Sequence, residues 1–143
     1  MVNQRFHLLG RAVIRLGNKV LLARAIGANH TFLPGGHVEI GESVPIAIAR
    51  ELLEELGCTA TIGRYLGAVE ATLKLGDTVH FEINHLFEAS LADTNVNSRE
   101  AHLEFFWADI TDLEALNLQP EPLRELIQHP PKAAFWRGLL VLD

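Results

Sequence analysis

"GGHVEIGESVPIAIARELLEELGC", Gly35 to Cys58, sets a glycine-rich turn in front of a helix that carries Arg50, Glu51, Glu54 and Glu55. Helix signals run from Ser43 to Leu56: Ser43 suits a cap, Pro45 lies in the first turn where a missing N–H costs little, and Gly57 is a natural stop. At about 100° per residue from Arg50, Glu54 falls near 40°, Glu51 near 100° and Glu55 near 140°. Leu52, Leu56, Ala49, Leu53 and Ile46 fall between about 200° and 320°. The expectation is an apolar arc that docks on a sheet and a charged arc that faces one place.

Two carboxylates about 5.5 Å apart repel by roughly 0.8 kcal/mol in water and about 3 kcal/mol at an effective dielectric of 20. The face is therefore either fully solvated or built to receive a positive group. Gly35-Gly36 lets backbone come close to a ligand, and Gly41 repeats that freedom ahead of the helix. Hard oxygen donors from such a loop and helix suit Mg²⁺ or Mn²⁺.

Outward from this stretch, "RFHLLGRAVIRLGNKVLLARA" (Arg5 to Ala25) reads as two strands joined at Gly17-Asn18. "NHTFLPGGHVEIGE" (Asn29 to Glu42) reads as loop. "TATIGRYLGAVEATL" and "TVHFEINHLFEASL" read as strands that turn at Lys74 to Asp77. After a polar loop, "HLEFFWADI" reads as a further strand, then "TDLEALN" and "EPLRELIQH" as short helices. The fold class expected is α/β (α+β), a mixed central sheet flanked by helices.

The 143 residues suit a single domain over 1–143. With 12 basic and 18 acidic side chains the net charge is −6. That balance argues against general nucleic-acid binding, which needs Lys and Arg to neutralise phosphates. A small phosphorylated ligand is compatible, because a divalent cation screens phosphate locally. The one cysteine, Cys58, allows neither an internal disulfide nor a cysteine metal site. No apolar run approaches about 18 residues, and "FWRGLLVLD" at the end is too short to span a bilayer. A soluble, cytoplasmic protein without a membrane partner is expected.

The seven histidines show no zinc spacing such as H-E-x-x-H. His80 and His85, five apart on a strand, point to opposite faces, and His37 sits in the glycine-rich loop. They are read as surface or packed side chains. Phe105-Phe106 with Trp107 reads as strand core. Phe135-Trp136 reads as packing for the C-terminal segment or as a homodimer contact.

The stretch Gly36 to Cys58 resembles the Nudix box: Gly, five residues, Glu, seven residues, then Arg-Glu-apolar-x-Glu-Glu-x-Gly-apolar. Gly36, Glu42, Arg50, Glu51, Leu52, Glu54, Glu55, Gly57 and Cys58 fill its positions in order. Cys58 stands where a larger aliphatic residue is usual. The resemblance implies a Nudix-type α/β/α sandwich. It further implies hydrolysis of the diphosphate bond in a nucleoside diphosphate-linked small molecule, such as a nucleoside triphosphate, ADP-ribose or a nucleotide sugar. Carried over by position, Glu51, Glu54 and Glu55 with the Gly35 carbonyl bind metal, Arg50 holds a box glutamate, and Glu42 supports the loop–helix geometry. Glu104 and Glu100 are the later carboxylates that stand as extra metal ligand or general base, against the alternative of solvated loop side chains. Arg24 resembles a phosphate-contacting arginine, with a surface ion pair as the alternative. Gly36 is expected beside substrate, and Phe32 is read as stacking on a base or as core. The other function considered is a non-catalytic Nudix-fold nucleotide sensor, which usually loses box glutamates.

Overall fold

Parity along the strands decides which face each helix covers. The computed structural model describes residues 3–138 and 141–142. Residues 1–2, 139–140 and 143, three of them in the apolar tail noted above, lie outside the described residues. The strands are β1 (Asn3–Leu16), β2 (Lys19–Ala25), β3 (Gly35–His37), β4 (Ala60–Leu75), β5 (Thr78–Leu91), β6 (Leu103–Asp109), β7 (Phe135–Arg137) and β8 (Val141–Leu142). The helices are α1 (Val44–Leu56) and α2 (Pro122–Gln128). Across the sheet the order is β6-β2-β1-β5-β4-β7, with β3 paired to β1 and β8 to β4. The sheet is mixed: β1 runs antiparallel to β2 and parallel to β5.

Val13, Val20 and Leu22 pack with Leu123, Leu126 and Ile127 of α2. Their neighbours Ala12, Ile14 and Leu21 pack with Ile48, Leu52 and Leu56 of α1. Successive strand side chains point to opposite faces, so one hydrophobic run serves two cores and each face carries a helix. The result is the expected α/β/α sandwich. Leu52 and Ile48 have no exposed surface; each such side chain contributes about 1.5–3 kcal/mol by leaving water.

Two local expectations are corrected, and the place of Phe135-Trp136 is defined. The loop expected from Asn29 to Glu42 contains β3, whose Gly36 pairs with Gly10 of β1, because the Gly-Gly backbone fits against that strand. "TDLEALN" forms only a 3-10 turn at Ile110–Asp112; Asp109 caps it by accepting from the Thr111 N–H at 3.0 Å, and the turn does not propagate into a helix. Phe135 and Trp136 belong to β7, which lies parallel to β4. Phe135 packs against the α2-side core while Trp136 is 64% exposed.

Candidate active site: a carboxylate cluster beside a cavity

Helix α1 begins and ends as its sequence dictates. The Ser43 hydroxyl accepts from the Ile46 N–H, and the Gly57 N–H closes on the Leu53 carbonyl. The docked arc is rotated and wider than expected, running from Ala47 near 60° to Leu56 near 240°. Ala47, Ile48, Leu52 and Leu56 are buried, whereas Ile46 and Leu53 are more than half exposed. On the same wheel Ile48 falls near 160°, about 20° from Glu55, so Glu55 lies at the edge of the core and not on an open face.

Two glycines bring the helix to the loop. Gly35 has φ 139, and a side chain there would run into the Gly10 carbonyl of β1. A Cβ on Gly36 would stand 2.6 Å from the Glu51 carboxylate carbon. The Glu51 carboxylate therefore rests directly on the Gly36 backbone.

Arg50 organises the acidic groups. Its Nε and Nη2 donate to the two oxygens of Glu42 at 2.7 and 3.0 Å. Nη2 also donates to the His37 carbonyl at 3.0 Å. Nη1 reaches Glu51 at 3.1 Å and Glu54 at 3.4 Å. The bond to Arg50, then one from the Glu39 N–H, holds Glu42 below the usual carboxylate range. Arg50 is driven above its ordinary value, chiefly by Glu42.

Glu55 behaves in the opposite way. Burial, then the charge of Glu51, pushes it up to about 8; Arg11 pulls it down and Glu100 adds to the rise. The sequence thus brings Glu51, Glu55 and Glu100 into one electrostatic neighbourhood. Among the described residues no three acidic, histidine or cysteine side chains already converge as a ligand set, and Arg50 Nη1 sits against Glu51 and Glu54. The donor chemistry nonetheless fits a hard divalent cation: the groups are carboxylates, and a cation would counter the burial and the Glu51 charge that push Glu55 up.

The remaining expected residues separate. Arg24 of β2 faces Glu104 of β6 in register; its Nε donates to Glu104 at 2.6 Å, and its guanidinium lies 5.0 Å above the Phe106 ring. Phe32 lines a cavity of about 600 Å³ together with Arg11, Asn29, Glu82, Asn84, Asn117 and Gln119. The site thus combines a carboxylate cluster with an adjoining roomy, amide-lined cavity.

Sequence reasoning missed Arg11 and the amides of this cavity. Asn117, in the left-handed region at φ 51, donates to the Asn29 carbonyl at 3.2 Å and accepts from Gln119 and Arg124 at 2.8 and 3.0 Å. It also missed a histidine row: His7 lies 2.8 Å from His37 through one ring nitrogen and 2.8 Å from His80 through the other. The histidine row joins residues 30 and 73 apart on β1, β3 and β5, and Asn117 meets Asn29 across 88 residues, so the long-range parts of these groupings appear only in the folded chain.

Comparison with known proteins adds independent findings. A family model described as the NUDIX domain matches residues 7–129. The chain is 31% identical over 113 residues to the uncharacterized Nudix hydrolase YvcI of Bacillus subtilis, a match covering 76% of this chain and 69% of that one. A shorter match, 48% identical over 44 residues, is to an 8-oxo-(d)GTP phosphatase of Mycolicibacterium smegmatis; it covers 31% of this chain but only 14% of that protein. In structure the chain resembles a mutator MutT protein from Bacillus halodurans with TM-score 0.77 at 16% identity, covering 96% of this chain and 90% of that one.

Proposed function

This chain belongs to the Nudix family, and on that premise we propose that it hydrolyses a diphosphate bond in a nucleoside diphosphate-linked small molecule with the help of Mg²⁺ or Mn²⁺. The substrate class includes nucleoside triphosphates, ADP-ribose and nucleotide sugars. The observation that carries this reading is the presence of every box carboxylate, with Glu42, Glu51 and Glu54 bound to Arg50, next to a cavity large enough for a nucleoside. A nucleotide sensor usually loses box glutamates, and this chain keeps Glu51, Glu54 and Glu55.

In this reading Glu51, Glu54 and Glu55, with the Gly35 carbonyl and Glu100, hold the cation. Bound there, a divalent ion neutralises diphosphate charge and makes a water nucleophilic at neutral pH. The rest falls to the chain itself. Glu42 and the His37 carbonyl fix the Arg50 guanidinium, so Glu51 and Glu54 are oriented by a cation that is itself immobilised. Gly36 leaves room for Glu51 and for a phosphate oxygen near the backbone. Phe32 offers a ring face to the organic group, and the cavity amides supply donors and acceptors for a heterocycle. Glu104 is the candidate base that works in partnership with Arg24, at their 2.6 Å contact. Catalysis then rests on positioning and charge stabilisation and needs no covalent intermediate.

The test is phosphate or pyrophosphate release from a panel of nucleoside triphosphates, ADP-ribose and nucleotide sugars with Mg²⁺. Turnover by the wild type and its loss in Glu54→Gln support the proposal. Binding of panel members without turnover by the wild type refutes it in favour of a sensor.

A further inference from the structure

We propose that Arg11 is a substrate-binding residue that grips the diphosphate where it passes from the carboxylate cluster into the cavity; this rests on the hydrolase reading above. Arg11 lies on β1 opposite Gly35, and it lines the cavity with Phe32 and Glu82. Its Nη1 donates to the Leu33 carbonyl at 3.1 Å, and its guanidinium lies 5.5 Å from the Phe32 ring centroid. These two contacts fix the guanidinium relative to the ring. Arg11 takes part in none of the ion pairs among the described residues. No buried side-chain nitrogen is left without a partner among the described residues, so the Arg11 nitrogens that make no hydrogen bond are reached by solvent, and Arg11 is part of the cavity lining.

Charge explains why this cation is placed here. Burial pulls the Arg11 guanidinium below its ordinary value and the charges of Glu82, Glu55 and Glu51 oppose this; its place opposite Gly35 and in the cavity lining sets it between the proposed metal carboxylates and the cavity. A cation on Glu51 and Glu55 would bring the phosphates to this junction, with the organic group pointing toward Phe32. A planar guanidinium already fixed on one side presents its remaining N–H groups as a fork that matches two phosphate oxygens, at little further entropic cost. Lysine could supply the charge at this position but neither the fork nor the ring stacking.

The experiment is calorimetric titration of Mg²⁺-saturated wild type, Arg11→Met and Arg11→Lys with methylenediphosphonate and with α,β-methylene-ADP. The expected result is that Arg11→Met binds both analogues about tenfold or more weakly than wild type, and Arg11→Lys recovers part of the loss. In turnover, KM rises more than kcat falls. A thermal shift by Mg²⁺ alone, retained in Arg11→Met, shows that the variant is folded; if it is not folded, Arg11→Lys decides by the same measure. Equal affinity of wild type and variants overturns the inference. So does weakening confined to α,β-methylene-ADP, because Arg11 would then read the organic group. A wild type that binds neither analogue also overturns it. A wild type that binds both but turns over no nucleotide removes the hydrolase reading and leaves the Arg11 contact standing.

Discussion

Glu42 grips Arg50 by both sides of its guanidinium, with Nε at 2.7 Å and Nη2 at 3.0 Å from its two oxygens. Only Nη1 is left to Glu51 and Glu54. The pair is a hinge-free bracket: it sets where the acidic groups stand without itself reaching the cavity. Glu42→Gln keeps the shape but halves the bidentate charge-assisted contact. Turnover should fall about tenfold, with a small change in melting temperature, and Arg50→Lys should behave similarly because an ammonium cannot bridge Glu42 and Glu51 in one plane. Steady-state kinetics beside thermal melts check this; an equal loss of stability and activity would count against a positioning role.

Gly36→Ala places a methyl group 2.6 Å from the Glu51 carboxylate carbon. The obstructed atoms belong to the end of a flexible side chain, so the fold survives while Glu51 is displaced. A displacement of about 1 Å at a reacting centre costs about a hundredfold in rate. The variant should melt near the wild type and show turnover reduced by about that factor; normal turnover would mean that the Glu51 position is not critical.

The pH dependence of stability has a defined sign. Glu55 is raised to about 8 in the fold from 4.5, so between those values the folded chain binds more protons than the unfolded one. By linkage, the contribution of Glu55 to stability is fully present below about pH 4.5 and declines as pH rises toward 8. Metal binding must expel that proton, so stabilisation by Mg²⁺ should grow across the same window. Melts in chelator and in Mg²⁺ from pH 5 to pH 8 measure both slopes, and Glu55→Gln should flatten them.

The two later carboxylates should separate by readout. Glu100 lies close enough to Glu55 to raise its pKa, whereas Glu104 is 2.6 Å from Arg24. Glu100→Gln should weaken the thermal response to Mg²⁺. Glu104→Gln should leave that response intact and lower kcat. The reverse pattern would exchange their roles.

Sequence made the parts with local signals legible. Gly36 to Cys58 carries its spacing in one short stretch, and α1 has its cap, its Pro45 and its Gly57 in place. The hairpin at Gly17-Asn18 was equally local. The edge of the buried arc was not legible: a wheel ranks directions but does not say which side meets the sheet, and Glu55 proved to lie beside Ile48 and not opposite the core. Arg11, Glu82 and Asn84 gather only because β1 and β5 pair in parallel, with Leu9 opposite Asn84. Periodicity within a strand carries no information about its neighbours.

The central claim is that Glu51, Glu54 and Glu55 gather a divalent cation against a diphosphate. Anomalous diffraction from crystals grown with Mn²⁺ and α,β-methylene-ADP tests it directly. A manganese peak within coordination distance of these carboxylates and of a diphosphate oxygen is the predicted result. Bound nucleotide in the cavity with no manganese at the carboxylates would contradict it.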